Sequence, residues 1–304
     1  MNKQSRDILE YSYLIEKGIL VNYSKFRADR TDEIQYRLDC PEYELLKEKY
    51  NLMQIAGKGD NFSRAKRLLN HLTPRMKHDS MYDNHVECNA LALLEYCYEK
   101  PEHGINCLNK SKIFSECCLA VGIPARRVII MPYSPYDGDN HVVTEIYDDK
   151  RGKWVMMDPT SGGMFVDEKG TPLSLLEMRE RFAHNSFITF MAGTCRTKDL
   201  QKLEKKNLED NWYICKNSFY YIIQKHQEFG ERKGDNLFFI PEGYFVRENE
   251  ITNLRYRIEA FGQAYPDKKE YFEKRLRESE KADEPKGTDI EAMTRPWTKS
   301  QPEK

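Results

Sequence analysis

The hydrophobic periodicity of this chain changes character once, near residue 126, and that change limits the folds open to it. Before it, apolar residues recur at helical spacing, as in NFSRAKRLLNHLTPRM, where Phe62, Ala65, Leu68, Leu69 and Leu72 share a face until Pro74 stops the run. The following segment, HVECNALALLEYCYEK, also reads as a helix, with Asn84 as its expected N-cap. From about residue 126 the pattern becomes short β-branched and aromatic runs, RRVIIMP, HVVTEIY and KWVMMDP, separated by turn clusters. Helices followed by strands predict an α+β fold.

The rest of the chain divides around this core. Residues 1–56, with Gly18 as their one glycine, predict a helical N-terminal extension of two or three surface-lying helices. A core is expected over 57–195, a helical and aromatic segment packing on it over 196–265, and a charged tail over 266–304. Helical patterns recur from Leu173 to Ala183 and from Lys198 to Leu208, and NLFFIPEGYF reads as a strand. From Lys281 onward the tail is polar and nearly devoid of aliphatics, so it is expected to be flexible, with Trp297 the one residue able to dock.

Charge and cysteine usage exclude several function classes. Forty-eight Lys and Arg against 49 Asp and Glu leave a net charge of -1, without the basic field of a dedicated nucleic-acid binder. No run approaches the ~18 apolar residues of a membrane span, and the N-terminus lacks the apolar stretch of a secretory signal. The eight cysteines form no C-x-x-C pair. A reduced, cytoplasmic protein without membrane or nucleic-acid partners is therefore expected.

The segment GINCLNKSKIFSECCLAVGIPARRV carries the chemistry. Asn106 is placed to cap a helix that starts at Cys107, continues through Ser111, Phe114, Cys118 and Val121 on one face, and ends at Gly122 and Pro124. A thiol in a first helical turn faces the positive end of the macrodipole and free backbone N–H groups, which can hold an oxyanion. Lowering a thiol from about 8.5 to about 4–5 takes roughly 5 kcal/mol, and a helix end contributes only about 0.3–2. A close imidazolium must supply the remainder.

His141 is the best placed of seven histidines, opening HVVTEIY after the turn-forming YSPYDGDN. If Asp148–Arg151 form a four-residue loop, the hairpin pairs Tyr147 with Gly152, Glu145 with Trp154, Val143 with Met156 and His141 with Asp158. Imidazole and carboxylate then share a face; a loop one residue longer would separate them. Asp158 would orient the ring and stabilise its charged form.

These three blocks, GINC with the helix ending in GIPARRV, then NHVVTEIY, then KWVMMDPT, resemble the transglutaminase-like superfamily over roughly residues 60–190. The resemblance implies a papain-like fold, with the nucleophile helix packed on an antiparallel sheet. It makes Cys107 the nucleophile, His141 the general base and Asp158 the orienting acid. Leu108 stands where animal transglutaminases carry an aromatic residue, and Asn106 where they carry Gln. No calcium-loop pattern is present, and no cofactor or metal is implied.

Together these features predict a cysteine enzyme that attacks an amide or peptide carbonyl through a thioester, hydrolysis being preferred to transamidation because water needs no second binding site. Asn106 and Leu108 are expected at the oxyanion. Tyr133 and Tyr136, in the loop before His141, are expected to contact a peptide or small amide substrate. A non-catalytic peptide-binding module on the same fold and an arylamine acyltransferase are the alternatives. Arg126 and Arg127 read chiefly as structural ion-pair partners, and Cys117 and Cys118 as core. The zinc-like spacing of His85, Cys88, His103 and Cys107 is better explained by an amphipathic helix and a nucleophile.

Overall fold

The two periodicities fold into a helical layer and a sheet, seen in a computed structural model that describes residues 3–193, 200–232, 234–261 and 266–298. The N-terminal extension forms three helices, α1 (Lys3–Asn22), α2 (Glu42–Lys49) and α3 (Leu52–Ala56), with a short strand β1 (Gln35–Tyr36) between the first two. Next come α4 (Asn61–Leu72), β2 (Lys77–His78), α5 (Ala90–Glu99), β3 (Gly104–Ile105) and α6 (Cys107–Ala120). The strand region holds β4 (Ala125–Met131), β5 (His141–Asp148), β6 (Lys153–Met157) and β7 (Gly163–Val166), followed by α7 (Leu175–Ala183) and β8 (Thr189–Ala192). Last are α8 (Leu200–Asn217), β9 (Tyr220–Gln224), β10 (His226–Gln227), β11 (Asn236–Phe239), α9 (Val246–Phe261), α10 (Pro266–Ser279) and α11 (Glu291–Thr294).

The main sheet is five-stranded and antiparallel, in the order β11-β9-β4-β5-β6. Two of its strands come from residues 220–239, so the aromatic segment expected to pack on the core enters the sheet itself. One apolar cluster lies between α2–α6 and the sheet, including Leu68, Leu69, Phe114, Ile146 and Met157. A second lies on the opposite face, around Val128, Val143, Met156, Phe182 and Phe219. Every residue of α6 from Asn109 to Ala120 is buried, not just the face expected from its apolar spacing. The polar members of that buried face need partners, and Lys112 pairs with Glu116 at 2.8 Å while Glu116 accepts from the N–H groups of Ala90 and Gly230.

Three local expectations are corrected. The cap of α5 is Asn89, whose side chain accepts from Ala92 N, and not Asn84, which sits upstream in the left-handed region at φ 60°. The β5–β6 hairpin pairs Tyr147 with Trp154 and Glu145 with Met156, because its four-residue loop is Asp149–Gly152 and not Asp148–Arg151. Asp148 ends the strand by accepting from Lys150 N and Arg151 N, and Gly152, at φ 66°, occupies the left-handed position of the loop. The shift moves each partner by two residues, so His141 and Asp158 keep a common face although they no longer stand directly opposite.

The third correction concerns the tail, whose residues 281–298 are packed; residues 299–304 and Cys195 lie outside the described residues. Glu284 accepts from Val246 N and Arg247 N, Thr288 N donates to Phe238 O, and Ala292 and Met293 are buried. Backbone hydrogen bonds hold this segment where its composition offers few aliphatics. Trp297 comes within 6.4 Å of the Tyr147 ring. Arg126 and Arg127 are ion-paired as expected, with Glu145 at 2.6 Å and with Glu231. Among the described residues no helix is long and apolar enough to cross a membrane.

Candidate active site

Short β3 pairs in parallel with β2 and delivers the chain to Asn106, the N-cap of α6. The Asn106 Oδ1 accepts from Asn109 N at 3.2 Å, and its Nδ2 donates to Asn84 Oδ1 at 3.0 Å, leaving one amide hydrogen uncommitted. Asn109 Nδ2 donates to the same Asn84 oxygen, so the left-handed Asn84 braces the helix start that it was expected to cap elsewhere. Cys107 is the first residue of α6 and is half-buried, as is Leu108. Their backbone N–H groups have no acceptor among the described residues, as the first turn of a helix dictates.

His141 opens β5 and is buried, with Nε2 at 3.1 Å from Asp158 Oδ2. The Cys107 thiol lies near enough to His141 to favour the charged ring. With Nε2 given to Asp158, Nδ1 is the nitrogen left for sulfur. Burial opposes the charged ring, but the Asp158 carboxylate with its hydrogen bond and the nearby Cys107 outweigh it and raise the His141 pKa to about 10. Asp158 is buried just beyond the end of β6, where Oδ1 accepts from Thr160 N at 2.8 Å and Ser161 N at 3.3 Å. Burial raises its pKa; the His141 charge and these hydrogen bonds prevail, and the carboxyl is held below the ordinary range.

Neither Tyr133 nor Tyr136 supplies the aromatic surface beside the histidine. Tyr133 packs among Tyr23, Phe219 and Tyr244, and Tyr136 is exposed against Tyr256. The ring that meets His141 is Tyr213 of α8, edge-on at 5.4 Å. Asp139, two residues before His141, acts on its hydroxyl and, with burial, raises its pKa. The loop carrying His141 is fastened further by Lys216 to Asp137 at 2.6 Å and by Asn253 Nδ2 to the carbonyls of Pro135 and Asp137. The tyrosine lies in the segment the sequence left unassigned, and only the recurrence of helical spacing near 200 pointed toward it.

Helix, strand and hairpin thus bring a thiol, an imidazole and a carboxylate together in an α+β scaffold. Residues 49–159 match the sequence profile of the Transglutaminase-like superfamily. Two solved structures are similar in part. One, from Cytophaga hutchinsonii and described as a "putative cysteine protease", shares 17% identity over 49% of this chain and 47% of that one, with a TM-score of 0.30. The other, a "putative protease" from Parabacteroides distasonis, shares 12% identity over 52% of this chain and 30% of that one, with a TM-score of 0.25. The chain therefore spans about half or less of the length of these structures. No curated protein matches it.

The zinc-like spacing has other partners in the fold: His103 stacks on Tyr96 at 4.1 Å, His85 leans on Tyr82, and Cys88 contacts Asn109 and Arg127. Among the described residues no three His, Cys, Asp or Glu side chains are grouped to hold a metal ion.

Proposed function

We propose that the protein is a cysteine-dependent acyl-transfer enzyme acting on amide or peptide bonds, with Cys107 as nucleophile, His141 as acid and base, and Asp158 as the group that orients and charges the ring. The observation that carries this reading is the buried His141, hydrogen-bonded to Asp158 and influenced by the Cys107 thiol at the start of α6. The ring, kept charged by Asp158, holds the sulfur as a thiolate, which adds to the carbonyl carbon. The oxyanion that forms is held by the Cys107 and Leu108 N–H groups, with the remaining Asn106 amide hydrogen within the same turn. The imidazolium then protonates the leaving amine as the carbon–nitrogen bond breaks, and a thioester remains.

Water resolves the thioester to an acid, which makes the protein a peptidase or amidase; an amine nucleophile would make it a transamidase. Hydrolysis is the preferred reading. Incubating a peptide mixture with the protein in ¹⁸O-water and a trace primary amine distinguishes the outcomes. New ¹⁸O-labelled carboxylates that vanish in Cys107→Ala are expected. Amine-capped products would make it a transamidase, and neither product from any mixture would favour a peptide-binding module.

A further inference from the structure

Lys110 lies one turn after Cys107 on α6 and is 2% exposed, yet no carboxylate or hydrogen-bond acceptor among the described residues reaches its ammonium. The ammonium is not fully enclosed, so the stem is buried while the charge keeps slight contact with solvent. Its neighbour Lys112, by contrast, has Glu116. Helical side chains lean toward the N-terminus, so a residue three positions on covers the turn that holds Cys107. The charges that act on Lys110 are Asp158 first, then Cys97 and Cys107, and burial draws its pKa below the ordinary lysine range.

Charge counting gives this lysine a purpose, if Cys107 reacts as proposed above. A thiolate and an imidazolium balance each other, but an ionised Asp158 leaves one buried negative charge in excess. We propose that Lys110 is a positioning residue that cancels this excess, so that Asp158 and a Cys107 thiolate can be ionised together beside a single imidazolium. An orienting aspartate supports the charged ring more strongly than a neutral amide would, and the lysine offsets its repulsion of the sulfur.

The test is the pH dependence of iodoacetamide alkylation at Cys107, followed by peptide mass spectrometry on the full chain. In Lys110→Met, the pH of half-maximal labelling should move up by about 1–2 units, since one buried charge at several ångströms has that effect. The midpoint of thermal unfolding is measured alongside, to establish that Lys110→Met is folded. Lys110→Gln provides a second neutral variant should the first fail to fold. An unchanged profile in either folded variant would overturn the role of Lys110 while leaving a selectively labelled Cys107 in place. Absence of selective labelling in the wild-type protein would remove both this role and the proposed function.

Discussion

At the scale of single residues, His141 and Asp158 are coupled in opposite directions, and the pH dependence of stability follows from the signs. The folded-state pKa of His141 is raised to about 10, so its contribution is complete below its unfolded value of 6.5 and is lost as pH climbs through the folded value. That of Asp158 is lowered, so its contribution is present above the unfolded value of 3.8 and is lost on acidification. The pair stabilises the fold most between about pH 4 and 6.5. Thermal midpoints measured across pH should show His141→Gln closing the gap to wild type on both sides of that window; a gap independent of pH would argue that the pair is not ionised. Cys107, His141 and Asp158 were readable because helix-start chemistry, a turn cluster and hairpin parity each constrain one of them. Lys110 and Tyr213 were not, since a lysine inside a helical pattern reads as a solvated face and Tyr213 is 72 positions from the residue it touches.

Among elements, the hairpin between β5 and β6 shows what a sequence withholds. Loop length was legible, but the left-handed demand on Gly152 and the side-chain bonds of Asp148 set which four residues form it. The conclusion about His141 and Asp158 survived because a two-residue shift preserves parity. Past β6, Asp158 pairs with Gly163, its N–H donating to the Gly163 carbonyl at 2.8 Å. A Cβ on Gly163 would come 2.4 Å from Phe190 Cζ and 2.5 Å from Met191 O, so the paired strands β7 and β8 must give way. Gly163→Ala is expected to cost about 1–3 kcal/mol in urea titration and to lower acyl-transfer activity by displacing Asp158. At the head of α6, Asn106→Ala removes the cap and should cost about 1 kcal/mol. Its alkylation rate at Cys107 should fall with it; a stability loss with unchanged reactivity would confine Asn106 to capping.

On the scale of the whole molecule, the chain's last segment closes the sheet. Arg126 is 1% exposed, bonded to Glu145 and to the Met293 carbonyl at 2.6 Å, and stacked 4.0 Å from Trp154, whose indole N–H donates to Arg295 O. Low aliphatic content predicted a loose tail, and it failed as a guide because the binding of 281–298 is mostly polar and backbone-mediated. A chain ending at Glu280 should therefore unfold at a lower temperature, and Arg126→Met, which leaves Glu145 buried without its partner, should cost about 3–5 kcal/mol. If calorimetry shows the shortened chain as stable as the full one, the packing of this segment contributes nothing to the fold. The α+β architecture itself was legible from the single change of periodicity, whereas the entry of residues 220–239 into the sheet was not, because their aromatics carry no clean alternation.

The account depends on one sulfur being chemically distinct from the other seven. Limiting iodoacetamide at mildly acidic pH, with every cysteine quantified by peptide mass spectrometry, should place at least about ten-fold more label on Cys107 than on any other cysteine, and His141→Ala should abolish that preference. Label spread evenly over the cysteines, or a preference that persists without the imidazole, would contradict it.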